Sequence, residues 1–520
     1  MHTLDIRLIN KSYFNYLIES ILPSLSKKLR VLRLSNTYTF SQISDLFCKF
    51  DWIHINQLES LSFDSIKSDE LSKYFLTIHP KLEQLWRLSL TFDEQDDYCE
   101  KLILNRILFS QSSLLKNCFI NGITFDLSKS ILPQSNKNLR ELTITLTSIK
   151  DLLILFQMIP HLEILTCTIS ADTSVDNIDQ IASLNSLTSL TLIINERIEF
   201  KTLQNILIPH TKLRHLSLTV ILIDKNSNKE INGFEFEKLF RRFSQLIELH
   251  FYFRHVPTDS HPTIDYKSDS VYLSSFTTHF WLDRSIEVCT HFIPSCNQRY
   301  VYTIPFAFDK FDVKDDIAEF FLNHHLPPFS NVKHLVLSAN SHIYEFIYSN
   351  IICKLFPKLH KITFSSKDTL STLKKHRWIE QKGKLHISYV FLSNNSKSRC
   401  RFYQKLDILS EDQRIFANNS KHIRELTIYE MTKDQLVYVN YFFSQIHVLT
   451  LYVDTCKWFS LSIDWLHHLL TNMVSLFSLT IYYPKDTPVG NLQSLLVSEL
   501  LAVKKYFFVK CTDGILNIWF

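Results

Sequence analysis

Leu139-Arg-Glu-Leu-Thr-Ile144, Leu162-Glu-Ile-Leu-Thr-Cys167, Leu187-Thr-Ser-Leu-Thr-Leu192 and Leu213-Arg-His-Leu-Ser-Leu218 are four copies of one pattern, apolar-x-x-apolar-x-apolar, starting 23, 25 and 26 residues apart. The same pattern occurs upstream at Leu29–Leu34, Leu58–Phe63, Leu85–Leu90 and Leu115–Ile120. Downstream it continues at Leu246–Phe251 and, after a gap, at Val332–Leu337, Leu359–Phe364, Ile423–Ile428, Ile446–Leu451 and Leu476–Ile481. The two apolar residues around the single x alternate with it, as in a strand with one face in a core and the other in solvent. Between windows the apolar spacing becomes that of a helix face: Ile43, Leu46, Phe47 and Phe50; Leu239, Phe240, Phe243 and Leu246; Trp465, Leu466, Leu469, Leu470, Met473 and Leu476. Pro160 and Pro357 stand two residues ahead of a window, where a missing N–H and a bulky ring stop the preceding helix.

A strand and a helix repeated every ~20 to 29 residues under an L-x-x-L-x-L signature is a leucine-rich repeat. The predicted fold class is therefore α/β: a leucine-rich-repeat solenoid or horseshoe, with a parallel sheet on the concave face and helices on the convex face. Repeats occupy residues 1–251 and 332–520, the second block with an irregular stretch at 365–422. Residues 252–331 form an irregular island with six prolines, in which Tyr300, Tyr302, Ile304, Phe306 and Phe308 alternate as a strand and Pro305 points to an edge position. The segments Leu385–Phe391 and Asn394–Ser398 are expected to be strand and loop.

Composition narrows the function. Only 5 of 520 residues are glycine, and none are spaced for a dinucleotide fingerprint, a P-loop or a nucleophile elbow, all of which need glycine for positive φ or close phosphate approach. The net charge of +4 from 56 basic and 52 acidic residues lacks the footprint of a nucleic-acid binder. The longest apolar stretches, Leu152–Ile159 and Leu218–Ile223, are far below the ~20 residues of a spanning helix, so no membrane partner is expected. Ten scattered cysteines form neither zinc spacing nor a compact disulfide framework, which suits the cytoplasm or nucleus. The pairs His324-His325 and His467-His468 lack the i, i+4 spacing that presents two ligands on one helix face. No catalytic residue, cofactor or metal is expected, and the chain is read as a non-enzyme and a monomer.

The windows, the interposed Phe276–Trp281 and Tyr302–Phe306 segments and the terminal Ile515–Phe520 resemble the leucine-rich-repeat half of the F-box/leucine-rich-repeat family. The resemblance implies a substrate receptor for a cullin-RING ubiquitin ligase. Two departures stand out. The closing asparagine of the signature occurs at Asn340 but is replaced elsewhere, for example by Thr37, Ile66, Asp93 and Ile123. The 28 residues ahead of Leu29 are read as too short for an F-box, with Leu4-Asp-Ile6 as a further repeat strand, so a ligase adaptor is expected as partner only if a box is supplied upstream. The alternative is a leucine-rich-repeat recognition receptor or ectodomain unrelated to ubiquitination.

The expected partner is a protein ligand on the concave face. Ten of the fourteen windows carry Ser or Thr at the single x: Ser62, Ser89, Thr143, Thr166, Thr191, Ser217, Thr363, Thr427, Thr450 and Thr480. Two residues further along the same face, small and polar residues give way to Tyr252, Tyr429, Tyr452, Tyr482 and, at the weak terminal window, Trp519. These five are the candidate partner-binding residues, because Tyr and Trp bury large areas at low rotamer cost.

Overall fold

The computed structural model describes residues 2–7, 9, 11–36, 41–50, 52–79, 82–92, 103, 114–129, 135–170, 183–223, 231–256, 268–293, 297–313, 321, 328–337, 355–358, 361–364, 389–392, 425–429, 448–452, 476, 478–482, 508–512 and 515–519. The chain divides into two compact units, one of Met1–Leu8, Asn15–Asn36 and Ser41–Ala307, the other of Ile9–Phe14, Thr37–Phe40 and Phe308–Phe520.

The first unit contains a twelve-stranded sheet. Ten strands follow one another in chain order: β1 (His2–Asp5), β2 (Leu29–Ser35), β3 (Ser60–Asp64), β4 (Arg87–Thr91), β5 (Asn117–Phe125), β6 (Glu141–Leu146), β7 (Ile164–Ile169), β8 (Ser189–Glu199), β9 (His215–Ile223) and β10 (Glu248–His255). Each pairs in parallel with the next. From β2 on, every strand is one sequence window, and β1 is the extra strand read at Leu4–Ile6. Windows are matched leucine to leucine: Leu142 lies opposite Leu165, Leu165 opposite Leu190 and Leu190 opposite Leu216. All four are fully buried. Shifting one strand by one residue would turn its leucines into water, at roughly 2 kcal/mol for each side chain exposed; the hydrophobic repeat therefore fixes the register.

Parallel neighbours need a crossover. Helices in these crossovers span Gln42–Lys49, Ser68–Lys73, Ile149–Met158, Phe200–Leu207 and Gly233–Phe240. Their buried residues include the predicted Ile43, Leu46, Phe47, Leu239 and Phe240. The helix at Ile149 starts with a reciprocal cap, Asp151 N–H donating to Ser148 Oγ at 3.3 Å and Ser148 N–H donating to Asp151 Oδ2 at 2.8 Å. It stops one residue short of Ile159-Pro160, as the proline requires.

The missing asparagine ladder has two replacements. Ile66 and Ile123 are buried, so apolar side chains fill those places. In the first repeats, buried polar side chains close the chain turns: Gln42 Oε1 accepts from Ser35 N–H at 2.6 Å while its Nε2 donates to Ile6 O at 2.7 Å. Asn36 Nδ2 likewise donates to Ser65 O and to Glu70 Oε2, at 3.1 and 2.7 Å.

Residues 252–331 take part in both units. Within the first, β11 (Glu287–Ile293) and β12 (Gln298–Ile304) form an antiparallel hairpin whose second strand pairs with β10, Tyr252 opposite Tyr302 and Arg254 opposite Tyr300. The strand predicted around Tyr300 is thus interior to the sheet rather than at an edge. Pro305 is accommodated because it lies one residue beyond the ladder, where no N–H is required. Arg299 is fully buried in the hairpin. It donates to Asp269 and, at 3.3 Å, to Thr290 Oγ1, and its guanidinium lies 4.4 Å from the Tyr272 ring centroid, so this buried cation has both a counter-charge and an aromatic face.

The second unit has a nine-stranded sheet. Its parallel strands are β13 (Lys310–Val313), β14 (His334–Leu337), β15 (Lys361–Phe364), β16 (Tyr389–Leu392), β17 (Glu425–Tyr429), β18 (Val448–Tyr452) and β19 (Ser478–Tyr482). After β19 come β21 (Ile515–Trp519) and β20 (Phe508–Thr512), both in antiparallel pairing. β16 coincides with the end of the strand expected at Leu385–Phe391. Asn340, the Asn394–Ser398 loop and the Trp465–Met473 part of the helix face lie outside the described residues.

Two predictions concern the stability of the first unit. Gly122 has φ +87 at the bulge between Phe119 and Thr124, and a Cβ there would stand 2.0 Å from Phe92 O. Gly122→Ala should lower stability by about 2 kcal/mol or more in denaturant titrations. The second concerns His210, whose Nδ1 accepts from Leu184 N–H at 3.3 Å and whose ring meets Phe156 edge-on. Burial pushes this histidine down to about 4, whereas the unfolded chain takes up its proton near 6.5. The unfolded state binds more protons between those values, so stability should fall by about 3 kcal/mol as the pH drops from about 6.5 to 4. His255, pushed down to about 3 by burial and then by the Arg299 charge, adds a loss of similar size over the same interval and carries it on to lower pH. Thermal unfolding from pH 7.5 to 4.5 should show this slope, and His210→Gln should flatten it; an equal slope in the variant would refute the assignment.

Candidate protein-binding face

In the first unit, the side of the sheet away from the leucines carries three rows of half-exposed or exposed side chains. The central row runs in register across eight strands, Ser62, Ser89, Phe119, Thr143, Thr166, Thr191, Ser217 and His250. Its Ser and Thr residues are all half-exposed. The ladder read from the sequence is therefore a continuous line across neighbouring strands, broken by Phe119, which is 41% exposed. Two residues along, Thr145, Thr168, Ile193, Thr219 and Tyr252 form a second row. Two residues in the other direction lies a third, with Asn117, Glu141, Ile164, Ser189, His215 and Glu248.

Charged groups near this face are matched between repeats. Arg30 meets Glu59 at 2.5 Å, Arg33 meets Asp5 at 3.4 Å and Arg140 meets Glu163 at 3.4 Å; Asn117 donates to Glu141. Exposed pairs of this kind contribute only ~0 to 1 kcal/mol each, so they tune the surface more than they hold the fold. Glu248 accepts from two imidazoles, and hydrogen bonds from His250 and then His215 lower its carboxyl below the ordinary carboxylate range. Sequence reading missed this cluster because its members come from repeats 33 residues apart. A His in one window and a Glu at the equivalent place in the next was the available signal.

The predicted aromatic residues fall into separate groups. Tyr252 belongs to the first unit and is half-buried, its ring 6.1 Å from Tyr300, 6.4 Å from Tyr302 and 5.7 Å from Phe306. Those three partners are almost fully buried, so Tyr252 is part of an aromatic cluster at the hairpin. Tyr429, Tyr452 and Tyr482 belong to the second unit, where they stand directly opposite one another on β17, β18 and β19. Thr427, Thr450 and Thr480 form the adjoining row. Trp519 does not join the tyrosines. Because β21 runs antiparallel to β19, Trp519 pairs with Ser478 and Ile515 takes the place beside Tyr482.

Two cysteines of the sheet are closed to nucleophilic chemistry. Burial pushes the Cys118 thiol up to about 12 and also raises Cys167, both of which point into the core of the sheet, so neither supplies a thiolate near neutrality. Among the described residues, no group of three or more His, Cys, Asp or Glu side chains could hold a metal ion.

A similar solved structure is the crystal structure of a TLR13-ssRNA13 complex, 14% identical, with a TM-score of 0.24 over 84% of this chain and 57% of that one. The present chain thus spans less than two thirds of that protein's length. No family model matches the chain, and no curated protein does. At so low a TM-score the assignment of the repeat rests on strand register and burial, which fit a leucine-rich repeat: one window, one strand, one buried leucine row.

The two aromatic groups are separable by mutation. Tyr252→Ala should destabilise the first unit by about 2 kcal/mol, through lost ring contacts and a cavity, and Tyr252→Phe by less than 1 kcal/mol. Equilibrium unfolding would show it, and an alanine variant as stable as the parent would remove Tyr252 from the core.

Proposed function

We propose that this chain is a non-catalytic protein-interaction scaffold, curved as a leucine-rich-repeat horseshoe with helices on its convex side, which holds a protein ligand on the concave sheet face. The observation that supports this reading is the hydroxyl ladder in register on the open face. Short, β-branched or small side chains lose little rotamer freedom on binding and offer both a donor and an acceptor. Eight parallel strands about 4.8 Å apart, with rows spanning about 13 Å along the strands, make a face on the order of 500 Å². That is the same order as the ~800 Å² per partner of an ordinary specific interface.

The family resemblance carries the finer reading: the repeats are the substrate-recognition part of a cullin-RING ubiquitin ligase, working as a monomer in the cytoplasm or nucleus once an F-box is present upstream. The free Cys48, Cys118, Cys167 and Cys289 suit a reducing compartment. The test joins an F-box to the N-terminus. The fusion should co-purify with adaptor and cullin, and the chain as given should not. Thr166→Arg with Thr191→Arg on the open face should abolish capture of the ligand, whereas Lys150→Glu and Lys201→Glu, exposed on helices, should leave it intact. Capture that survives the arginines, or is lost equally with the helix substitutions, would disprove the face assignment; adaptor binding by the unfused chain would disprove the reading that a box has to be supplied upstream.

A further inference from the structure

Register brings two histidines to one carboxylate on the open face. His215 on β9 stands opposite Glu248 on β10, and His250, two residues on, stands opposite Ser217. Glu248 Oε2 lies 3.0 Å from His215 Nδ1, and Glu248 Oε1 lies 2.8 Å from His250 Nε2. Side chains of His215 and Glu248 are 48% and 54% exposed, and that of His250 is 18% exposed.

The surroundings can be set out strand by strand. From β8 come the uncharged Ser189 and Thr191, opposite His215 and Ser217. Lys212 and Arg214 are exposed on the turn into β9. Further along β10, Arg254 donates to Gln298 at 2.8 Å. β12 contributes Ile304, and β11 contributes Glu287, exposed and paired with Ile304. With both imidazoles neutral, Glu248 and Glu287 offset two of the three cationic side chains. Protonating both imidazoles raises the formal charge of the patch by two, from +1 to +3. Imidazoles as a class take up protons at higher pH than carboxylates, so an acidic peptide keeps its charge where the histidine side chain gains one.

We propose that His215, Glu248 and His250 form a proton-gated dock for an acidic peptide segment, which the open face holds once the two imidazoles are charged. The dock rests on the reading of this face as a protein-binding surface. Spacing favours a peptide. One strand across and two residues along separates the histidines by roughly 8 Å, and carboxylates on alternate residues of an extended chain recur about every 7 Å. A nucleic-acid strand would want open aromatic faces for its bases, and Tyr252, the neighbouring ring, is packed against Tyr300, Tyr302 and Phe306.

The test measures fluorescence anisotropy of a labelled (Glu-Thr)4 peptide at pH 7.5 and 5.5, with (Lys-Thr)4 as control and an eight-nucleotide single-stranded RNA as competitor. Acidification should tighten (Glu-Thr)4 binding at least tenfold in the natural chain and no more than twofold in His215→Gln/His250→Gln. Melting curves at both pH values confirm that each protein is folded; should the double variant not fold, His215→Gln alone, at an exposed site, should lose at least half of the logarithmic gain. A tenfold gain that persists in the folded variant, absence of binding at pH 5.5, or RNA displacing the peptide at equal or lower concentration would each overturn the dock. If the acid response is missing while Thr166→Arg with Thr191→Arg still abolishes ligand capture, the dock falls and the scaffold stands. If those arginines also have no effect, both fall.

Discussion

Parallel pairing of identical windows is the constraint on which the rest depends. A parallel ladder has no hairpin turn to fix its register, so register must come from the side chains. Here each window of the first unit offers buried apolar residues at the same three places, and neighbours satisfy them only when leucine faces leucine, as Leu142, Leu165, Leu190 and Leu216 do. Once that row is fixed, the alternate residues have no freedom either. Thr143, Thr166, Thr191 and Ser217 line up because the leucines beside them do.

Strands and helix faces were legible because they are local: a period of two within six residues, or of 3.6 within eight, needs no knowledge of what the chain does elsewhere. Ile43, Leu46 and Phe47 show a helix face whatever they pack on. The polar closures made by Gln42, Asn36 and Glu70 were not legible, since a buried glutamine looks like a surface one until its partners, Ser35 N–H and Ile6 O, are in place. Strand order was equally hidden at the hairpin, where β12 rather than β11 meets β10. The same reversal of direction, repeated at β21, moved Trp519 away from the tyrosine row.

Of the candidate site, the ladder could be read and its charged cluster could not. A repeat supplies its outward residues one strand at a time, and only the sum over strands makes a surface. His215 and Glu248 are unremarkable apart and become a unit across one 4.8 Å strand spacing. Tyr252 shows the converse: outward by alternation, it is claimed by rings from β12 and the segment after it.

The two ends of the twelve-stranded sheet differ in a way that gives the first unit a direction of unzipping. β1 is four residues long and pairs with β2 alone, so its loss breaks one ladder. At the other end β11 is locked to β12 over seven residue pairs, above the buried Arg299 and its aromatic neighbours. In an array whose repeats touch only their neighbours, opening starts where the last interface is weakest. Backbone amides should therefore exchange with solvent first at β1 and β2, in a front that moves toward the hairpin, and the cluster of Tyr252, Tyr300 and Tyr302 should be among the last parts of the unit to open.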